Sequence, residues 1–252
     1  MSPDELIDPI AFLQRADVEL EGRMPWSSNA TFLATLALDD VARTDNSTGR
    51  VVQQAIYKPV RGERPLWDFE PGLHRRERAM YLLSEHLGFG LVPPTVIRDG
   101  PLGEGSYQWF VAADHTEHYF TMFEQRPHLH DRFRDLVVLD VLANNTDRKS
   151  GHCLLQVGDT DADDRVWAID NGLCFSAPFK LRTVIWEFAG ENIDEHVLDR
   201  VAPLVERIPV EVAEHLEADE LAAMQRRATK LVTERVFPSE DGSYRSYPWP
   251  LV

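Results

Sequence analysis

Asn144-Asn145-Thr146-Asp147-Arg148-Lys149-Ser150-Gly151-His152 and, further along, Ala168-Ile169-Asp170-Asn171-Gly172-Leu173 decide how this chain reads. Each segment sets an aspartate at the edge of an apolar run. Two carboxylates on neighbouring loops beside a core suit metal-assisted phosphoryl transfer: one orients an attacking hydroxyl, the other holds a cation on phosphate oxygens. Asp147 follows an apolar helical stretch at 133–142 (FRDLVVLDVL) and precedes a tight turn. Arg148 beside it can screen Asp147 or a transferring phosphoryl group. Asp170 ends a short strand, and the Asn171-Gly172 turn after it can aim the carboxylate at a hard cation. Either aspartate alone is an ordinary loop residue in an acid-rich chain, so the pair carries the signal.

Reading outward, residues 153–157 and 165–169 form two short strands joined by an acidic hairpin loop at 159–164, and 197–235 is mostly amphipathic helix. The first 112 residues are different in kind. Residues 7–21 read as an amphipathic helix or irregular lead-in. Strands are expected at 31–38, 51–57, 95–98 and 107–112, with turns at 45–49 and 99–105. One helix, 73–87, places Ala79, Leu82, Leu83 and Leu87 on one face and is stopped by Gly88 and Gly90. A strand-rich N-lobe over 1–112, followed by a helical C-lobe over 113–252, is the layout of an α+β, two-lobed, kinase-like fold with its cleft near Ala112-Ala113-Asp114.

Further candidates fall in the order that such a fold requires. Lys58 ends a strand before Pro59 and can meet nucleotide phosphates as a localised charge, although alone it also reads as a solvated strand-end lysine. Glu77 on the following helix can hold it, although Arg75, Arg76 and Arg78 offer local partners too. Ser27, Ser28 and Asn29 sit in a turn whose N–H groups and hydroxyls can cover phosphates, or which simply starts a hairpin. Trp109, Phe110 and Val111 can sandwich an adenine and bond its edge, or form an ordinary core strand. The histidine pairs His115/His118 and His128/His130 lack metal-site patterning and read as surface or core residues. Trp186 and Phe188 read as core or pocket residues. The C-terminal YPWPLV reads as a segment docked on the body through Trp249.

These motifs resemble the phosphatidylinositol 3-/4-kinase-like superfamily, most closely type II phosphatidylinositol 4-kinases. Asn145-Thr146-Asp147-Arg148 is similar to that family's catalytic loop, N-T-D-R-x-x-x-N. The segment 168–175 (AIDNGLCF) is similar to its metal-binding loop. Lys58-Pro59 resembles the nucleotide lysine, Glu77 the helix glutamate, 105–111 (GSYQWFV) the lead-in to the lobe connection, and Ser27-Ser28-Asn29 the phosphate-covering loop. The resemblance spans about residues 20–190. It implies ATP and Mg²⁺ or Mn²⁺ as cofactors, Asp147, Arg148 and Lys58 in catalysis, and Asp170 with His152 at the metal. His152 stands where the family has asparagine: imidazole suits Mn²⁺ better than Mg²⁺, or His152 bonds Asp147 or a phosphate instead, or it signals weakened activity. The stretch between Lys58 and Glu77 lacks the family's cysteine-rich membrane-anchoring insertion, which argues against a membrane-resident lipid substrate. Lys180 and Arg182 can read an anionic headgroup or stand solvated.

Composition narrows the partners. The chain has 252 residues, 43% of them hydrophobic and 27% charged, ordinary for a globular domain of this size. The net charge of −16 repels nucleic acid and anionic membrane surfaces. Asp4, Glu5 and Asp8 argue against a signal peptide, no apolar run reaches the length of a membrane span, and Cys153 and Cys174 lack disulfide spacing. The expectation is a cytoplasmic, monomeric, ATP- and metal-dependent kinase with no integral membrane anchor, moving a γ-phosphoryl group to a hydroxyl of a protein, inositol lipid or small molecule. The alternatives are a nucleotide-binding pseudokinase and an AMP transferase on the same fold.

Overall fold

Alternation of small or apolar with polar residues builds the first sheet. In the computed structural model, which describes residues 8–25, 29–42, 48–66, 69, 71–114, 116–240 and 244–251, strands β1 (Asp17–Arg23), β2 (Phe32–Ala42), β3 (Thr48–Pro59), β4 (Thr95–Gly100) and β5 (Gly103–Trp109) form an antiparallel sheet in the order β1-β2-β3-β5-β4. One face carries Ala34 and Leu36 of β2 with Ala55 and Tyr57 of β3, all fully buried. The register sets Ala34 against Ala55, which leaves room for Tyr57 to stack on Tyr107 at 4.3 Å between ring centroids.

Helix α1 (Pro9–Arg15) covers this face with Phe12 and Leu13. The lead-in at 7–21 is therefore half helix and half strand. Proline opens the helix, the Asp8 carboxylate accepts from the Ile10 N–H at 3.0 Å, and Ala16 ends it in extended conformation. Helix α2 (Leu73–His86) follows the sheet's third strand. The chain divides into two compact units: Met1–Arg78 with Pro93–Val111, and Ala79–Val92 with Ala112–Val252.

The second unit is helical, with α3 (Tyr119–Gln125), α4 (His130–Ala143), α5 (Glu195–Val201), α6 (Pro203–Glu206), α7 (Val210–Ala213) and α8 (Ala218–Glu234), and one hairpin, β6 (Cys153–Gln156) with β7 (Arg165–Ala168). Helix α4 is its axis. Phe133 and every residue from Leu136 to Ala143 are buried, as in a helix apolar on all sides. That burial includes Asp140, 1% exposed inside an apolar helix. Cys153 and Cys174 are buried and not joined in a disulfide, and burial pushes the Cys153 thiol up to about 12. Among the described residues no helix is long and apolar enough to cross a membrane.

The C-terminal segment is docked on the body, as expected, but not through Trp249. It is tied down through its backbone, with Thr183 N–H on Ser246 O at 3.1 Å and Ser150 N–H on Leu251 O at 2.8 Å. Trp249 itself is 88% exposed, so that side chain does not anchor the segment. Of the two histidine pairs, His118 takes part in the cap of α3, His128 meets Asp164 at 3.1 Å, and His130 stacks on Phe123 at 4.4 Å. His115 lies outside the described residues. Phe188 is a core residue, and Trp186 packs against the same core.

Candidate active site

The first unit supplies a lysine and its partner. Lys58 lies on β3 opposite Ser106 of β5, and its ammonium forms an ion pair with the Glu77 carboxylate of α2. Glu77 is 3% exposed, so its charge is held in a low-dielectric setting where a pair is screened little. Gly105, beside this site, cannot be larger: a Cβ there would lie 2.4 Å from the Lys58 carbonyl oxygen. The start of α2 is held by Glu63, which the sequence did not single out. Its carboxylate accepts from the N–H groups of Gly72 at 2.9 Å and His74 at 3.1 Å, and meets the His74 ring at 3.2 Å. Burial would raise the Glu63 carboxyl, but these donors at the helix start hold it down to about 2.

The remaining expected nucleotide contacts fare unevenly. Ser27 and Ser28 lie outside the described residues. Asn29 accepts from the Arg64 N–H at 3.0 Å, which fixes the turn after β3. Trp109 packs edge-on against Phe12 at 5.9 Å, so its ring belongs to the first unit's core. The Phe110 N–H is bonded to Gln54 O at 3.1 Å, and its carbonyl accepts from the Gln53 amide at 3.3 Å. Phe110 therefore keeps no N–H for a purine edge. Val111, 8% exposed, follows it at the end of this unit.

The second unit holds both aspartate loops, and the motif residues split by burial. Asn144, Asn145, Thr146, Arg148 and Asn171 are at most 3% exposed, and they build the loops. Asn144 caps α4 in the left-handed region, φ 48°, and its amide donates to Ser176 O and Pro178 O at 2.7 and 2.9 Å. Asn145 donates to Asp140 Oδ1 at 2.9 Å and accepts the Asp147 N–H at 2.9 Å. Thr146 bonds Leu173 O with both its N–H and its hydroxyl, at 3.0 Å each.

Arg148 corrects the sequence reading. It is fully buried and forks onto Asp140 at 2.9 and 3.0 Å. It also donates to Ile169 O at 2.9 Å and Asn171 Oδ1 at 2.7 Å. A guanidinium so committed cannot screen a transferring phosphoryl group. It is a positioning residue that ties the Asp147 loop to the Asp170 loop.

The other motif side chains are presented outward. Asp147 is partly exposed and accepts from Lys149 Nζ at 2.9 Å. Burial lifts the Asp147 carboxyl above the ordinary range against the pull of Lys149, and nearby Asp170 pushes the same way. Asp170 is 53% exposed and held at φ 56°, a conformation that aspartate tolerates better than most residues. His152 Nδ1 lies 2.9 Å from the Asp147 carbonyl, and that acceptor makes Nδ1 the protonated nitrogen. Nε2 then turns its lone pair toward Asp170 Oδ2 at 3.5 Å. Two acceptors facing each other at this separation call for positive charge between them, a proton or a divalent cation. The residues therefore fit the metal that the sequence implies. The segment after the second loop is laced to the first: Arg182 N–H donates to Asn145 O at 2.9 Å, Arg148 N–H to Arg182 O at 3.0 Å, and Lys180 N–H to Asn144 Oδ1 at 3.0 Å. The backbone of Lys180 and Arg182 thus helps to hold the site in place.

Known structures share this architecture at low identity. The Golgi casein kinase with Mn/ADP bound superposes with a TM-score of 0.54 at 14% identity, over 96% of this chain and 79% of that one. Hydra Fam20 with sugar gives 0.55 at 15%, over 92% and 89%. The fold is thus α+β and atypical-kinase-like, a strand-rich sheet unit and a helical unit. The chain matches no protein-family model. It is 37% identical, over an alignment 280 positions long, to protein Rv2133c of Mycobacterium tuberculosis (strain ATCC 25618 / H37Rv), across 96% of this chain and 95% of that protein. At that identity over nearly the full length of both, this chain belongs to the same family as Rv2133c.

Proposed function

We propose that the chain is an ATP- and divalent-cation-dependent phosphotransferase of the phosphatidylinositol 3-/4-kinase-like type, transferring the γ-phosphoryl group to a hydroxyl. The observation that carries this reading is the Asp147–His152–Asp170 constellation on two loops locked together by Arg148, within a kinase-like fold. Asp170 and His152 hold the cation, Asp147 accepts and orients the acceptor hydroxyl, and Lys58, kept in place by Glu77, meets the nucleotide phosphates. A bound Mg²⁺ or Mn²⁺ would neutralise charge on the phosphate oxygens. The chain's own contribution is positioning. The buried residues fix where Asp147 and Asp170 stand before any ligand arrives, and such positioning supplies most of the catalysis in phosphoryl transfer. We assign the nucleotide contacts to residues 1–112 and the catalytic and metal contacts to 113–252, in a monomer of the cytoplasm with no nucleic-acid partner. Mn²⁺ is the metal to try first, because it suits imidazole and because the Golgi casein kinase structure carries it with ADP. His152 in place of asparagine also motivates a second reading, a nucleotide-binding pseudokinase. AMP transfer would use the same lysine and metal aspartate.

Thermal unfolding with ATP and Mn²⁺ or Mg²⁺ tests nucleotide binding. At a hundredfold excess over Kd the wild type gains about 2.7 kcal/mol, and Asp170→Ala does not. A wild type with no metal-dependent shift sinks the phosphotransferase and both nucleotide-dependent alternatives. ATP labelled at the γ or the α phosphate then separates phosphoryl transfer from AMP transfer, and binding with neither transfer leaves the pseudokinase.

A further inference from the structure

A cavity in the helical unit, of about 290 Å³, is lined by Val141 of α4, by Ala177 and Phe179, and by Ala223 and Leu231 of α8. Its volume is at the small end of ligand pockets. The lining is mainly apolar, yet Arg226, Arg227 and Lys230 all border it. That gathering of cations stands out in a chain of net charge −16. Glu234 also borders the cavity, and it lies 3.9 Å from Lys230 in an exposed pair that solvent screens.

Arg227 is the unusual member. It is only 7% exposed. Its Nε donates to Leu142 O at 2.9 Å and its Nη1 reaches Ser176 O at 3.5 Å, while Nη2 is buried with no hydrogen-bond partner among the described residues. Burial, and after it the charge of Arg226, pulls the guanidinium down to about 10. A buried, unpartnered donor on a cation is costly, and such groups call for an explanation. Arg227 borders the cavity, so a ligand with a negative head and a short apolar body would answer its charge there.

We propose that this cavity binds a small amphiphilic acid, its carboxylate meeting the guanidinium of Arg227 between Arg226 and Lys230, its acyl or aryl body lying on Val141, Ala223 and Leu231. This site is separate from the aspartate loops and does not depend on the reaction proposed for them. It touches their supports, however, because Arg227 holds the carbonyls of Leu142, just before the first loop, and Ser176, just after the second.

The test uses the full chain and three probes: octanoate, its neutral isostere octanamide, and acetate. Isothermal titration is run on the wild type and on the Arg226→Ala/Lys230→Ala variant, whose replaced side chains border the cavity without being core residues. The expected result is saturable octanoate binding, about tenfold tighter than octanamide, as one desolvated charge-assisted contact provides. Acetate should bind far more weakly, and the double variant should lose most of the preference for the acid. Equal binding of octanoate and octanamide, no saturable binding of either, or an undiminished acid preference in the double variant would each overturn the proposal. Circular dichroism of the variant confirms that a lost preference is not lost folding.

Discussion

Arg148→Met removes a fully buried guanidinium and leaves behind the acceptors it served: the Asp140 carboxylate, the Ile169 carbonyl and Asn171 Oδ1. Removing one partner of a buried ion pair costs about 3–5 kcal/mol, because the other charge stays buried without compensation. Each orphaned neutral acceptor adds about 1–3 kcal/mol, part of which local relaxation and protonation of Asp140 recover. The expected loss is therefore about 4–6 kcal/mol, a large fraction of the stability of a typical domain. In a chain of this size that lowers Tm by roughly 10–20 °C. Urea unfolding followed by far-ultraviolet circular dichroism measures it.

Two companion variants isolate the cause. Arg148→Lys supplies Asp140 with a point charge but not the fork that also reaches Ile169 and Asn171, so it should lose about 2–3 kcal/mol. Asp140→Leu with Arg148→Met removes both charges and should be at least about 2 kcal/mol more stable than Arg148→Met alone. The reasoning is refuted if Arg148→Met loses less than about 1 kcal/mol yet abolishes nucleotide turnover. Arg148 would then act on the reacting groups, as its place in the motif first suggested.

Asp147→Asn should lower phosphoryl transfer by about 10²–10⁴-fold while leaving the ATP-metal thermal shift intact, the mark of a group that serves the acceptor and not the cation. His152→Asn should move metal preference from Mn²⁺ toward Mg²⁺, read as the ratio of thermal shifts with the two ions; an unchanged ratio would show that His152 is not a ligand. Glu63→Gln should destabilise at neutral pH. The Glu63 carboxyl is depressed from 4.5 to about 2, so its stabilisation is complete above pH 4.5 and fades as pH falls toward 2. The full shift corresponds to about 3 kcal/mol, and solvent screening of a partly exposed group reduces this to about 1.5. The gap between wild type and variant should close with acidification, and a gap that is constant with pH would rule out Glu63 as the charged cap of α2.

How much of this was legible in the sequence depends on the range of the interaction. Helix α4 and the strands β6 and β7 follow from local apolar spacing, and they emerge close to their expected limits. The break between α1 and β1 was also written locally, in Asp8-Pro9 and in the alternation of Val18 and Leu20, but the amphipathic run over 7–21 masked it. Helix α3 was missed because its aromatics, Tyr119, Phe120 and Phe123, serve a strand as readily as a helix. The fate of Arg148 was not readable from its own neighbourhood. A charged residue beside a candidate catalytic aspartate reads as catalytic, and its burial depends on Asp140, a helical turn and a loop away. One hint existed: of the two aspartates in FRDLVVLDVL, Asp140 stands between apolar residues on both sides and needs a buried cation to stand there. Glu63 left no signal, because its carboxylate reaches the helix start across a loop.

Backbone strain argues that the two loops are built in advance of any ligand. Among the described residues the non-glycine positions with positive φ are Asn144, Asp170, Phe175 and Arg235. Arg235 merely ends α8, whereas the other three bracket the aspartate loops. Each such residue costs about 1–2 kcal/mol, and for a bulky phenylalanine the conformation is a true outlier. The strain is offset by bonds made deep in the core: Phe175 N–H to Ala143 O at 2.5 Å, the Asn144 amide to Ser176 and Pro178, and the Arg148 fork to Asp140. A ligand that had to impose this geometry would spend binding energy on it, and affinity or rate would fall accordingly. Here the core meets that cost during folding. Asp147 and Asp170 then carry their carboxylates on loops fixed by other side chains, and His152 adds to the first loop its own bond from Nδ1 to the Asp147 carbonyl.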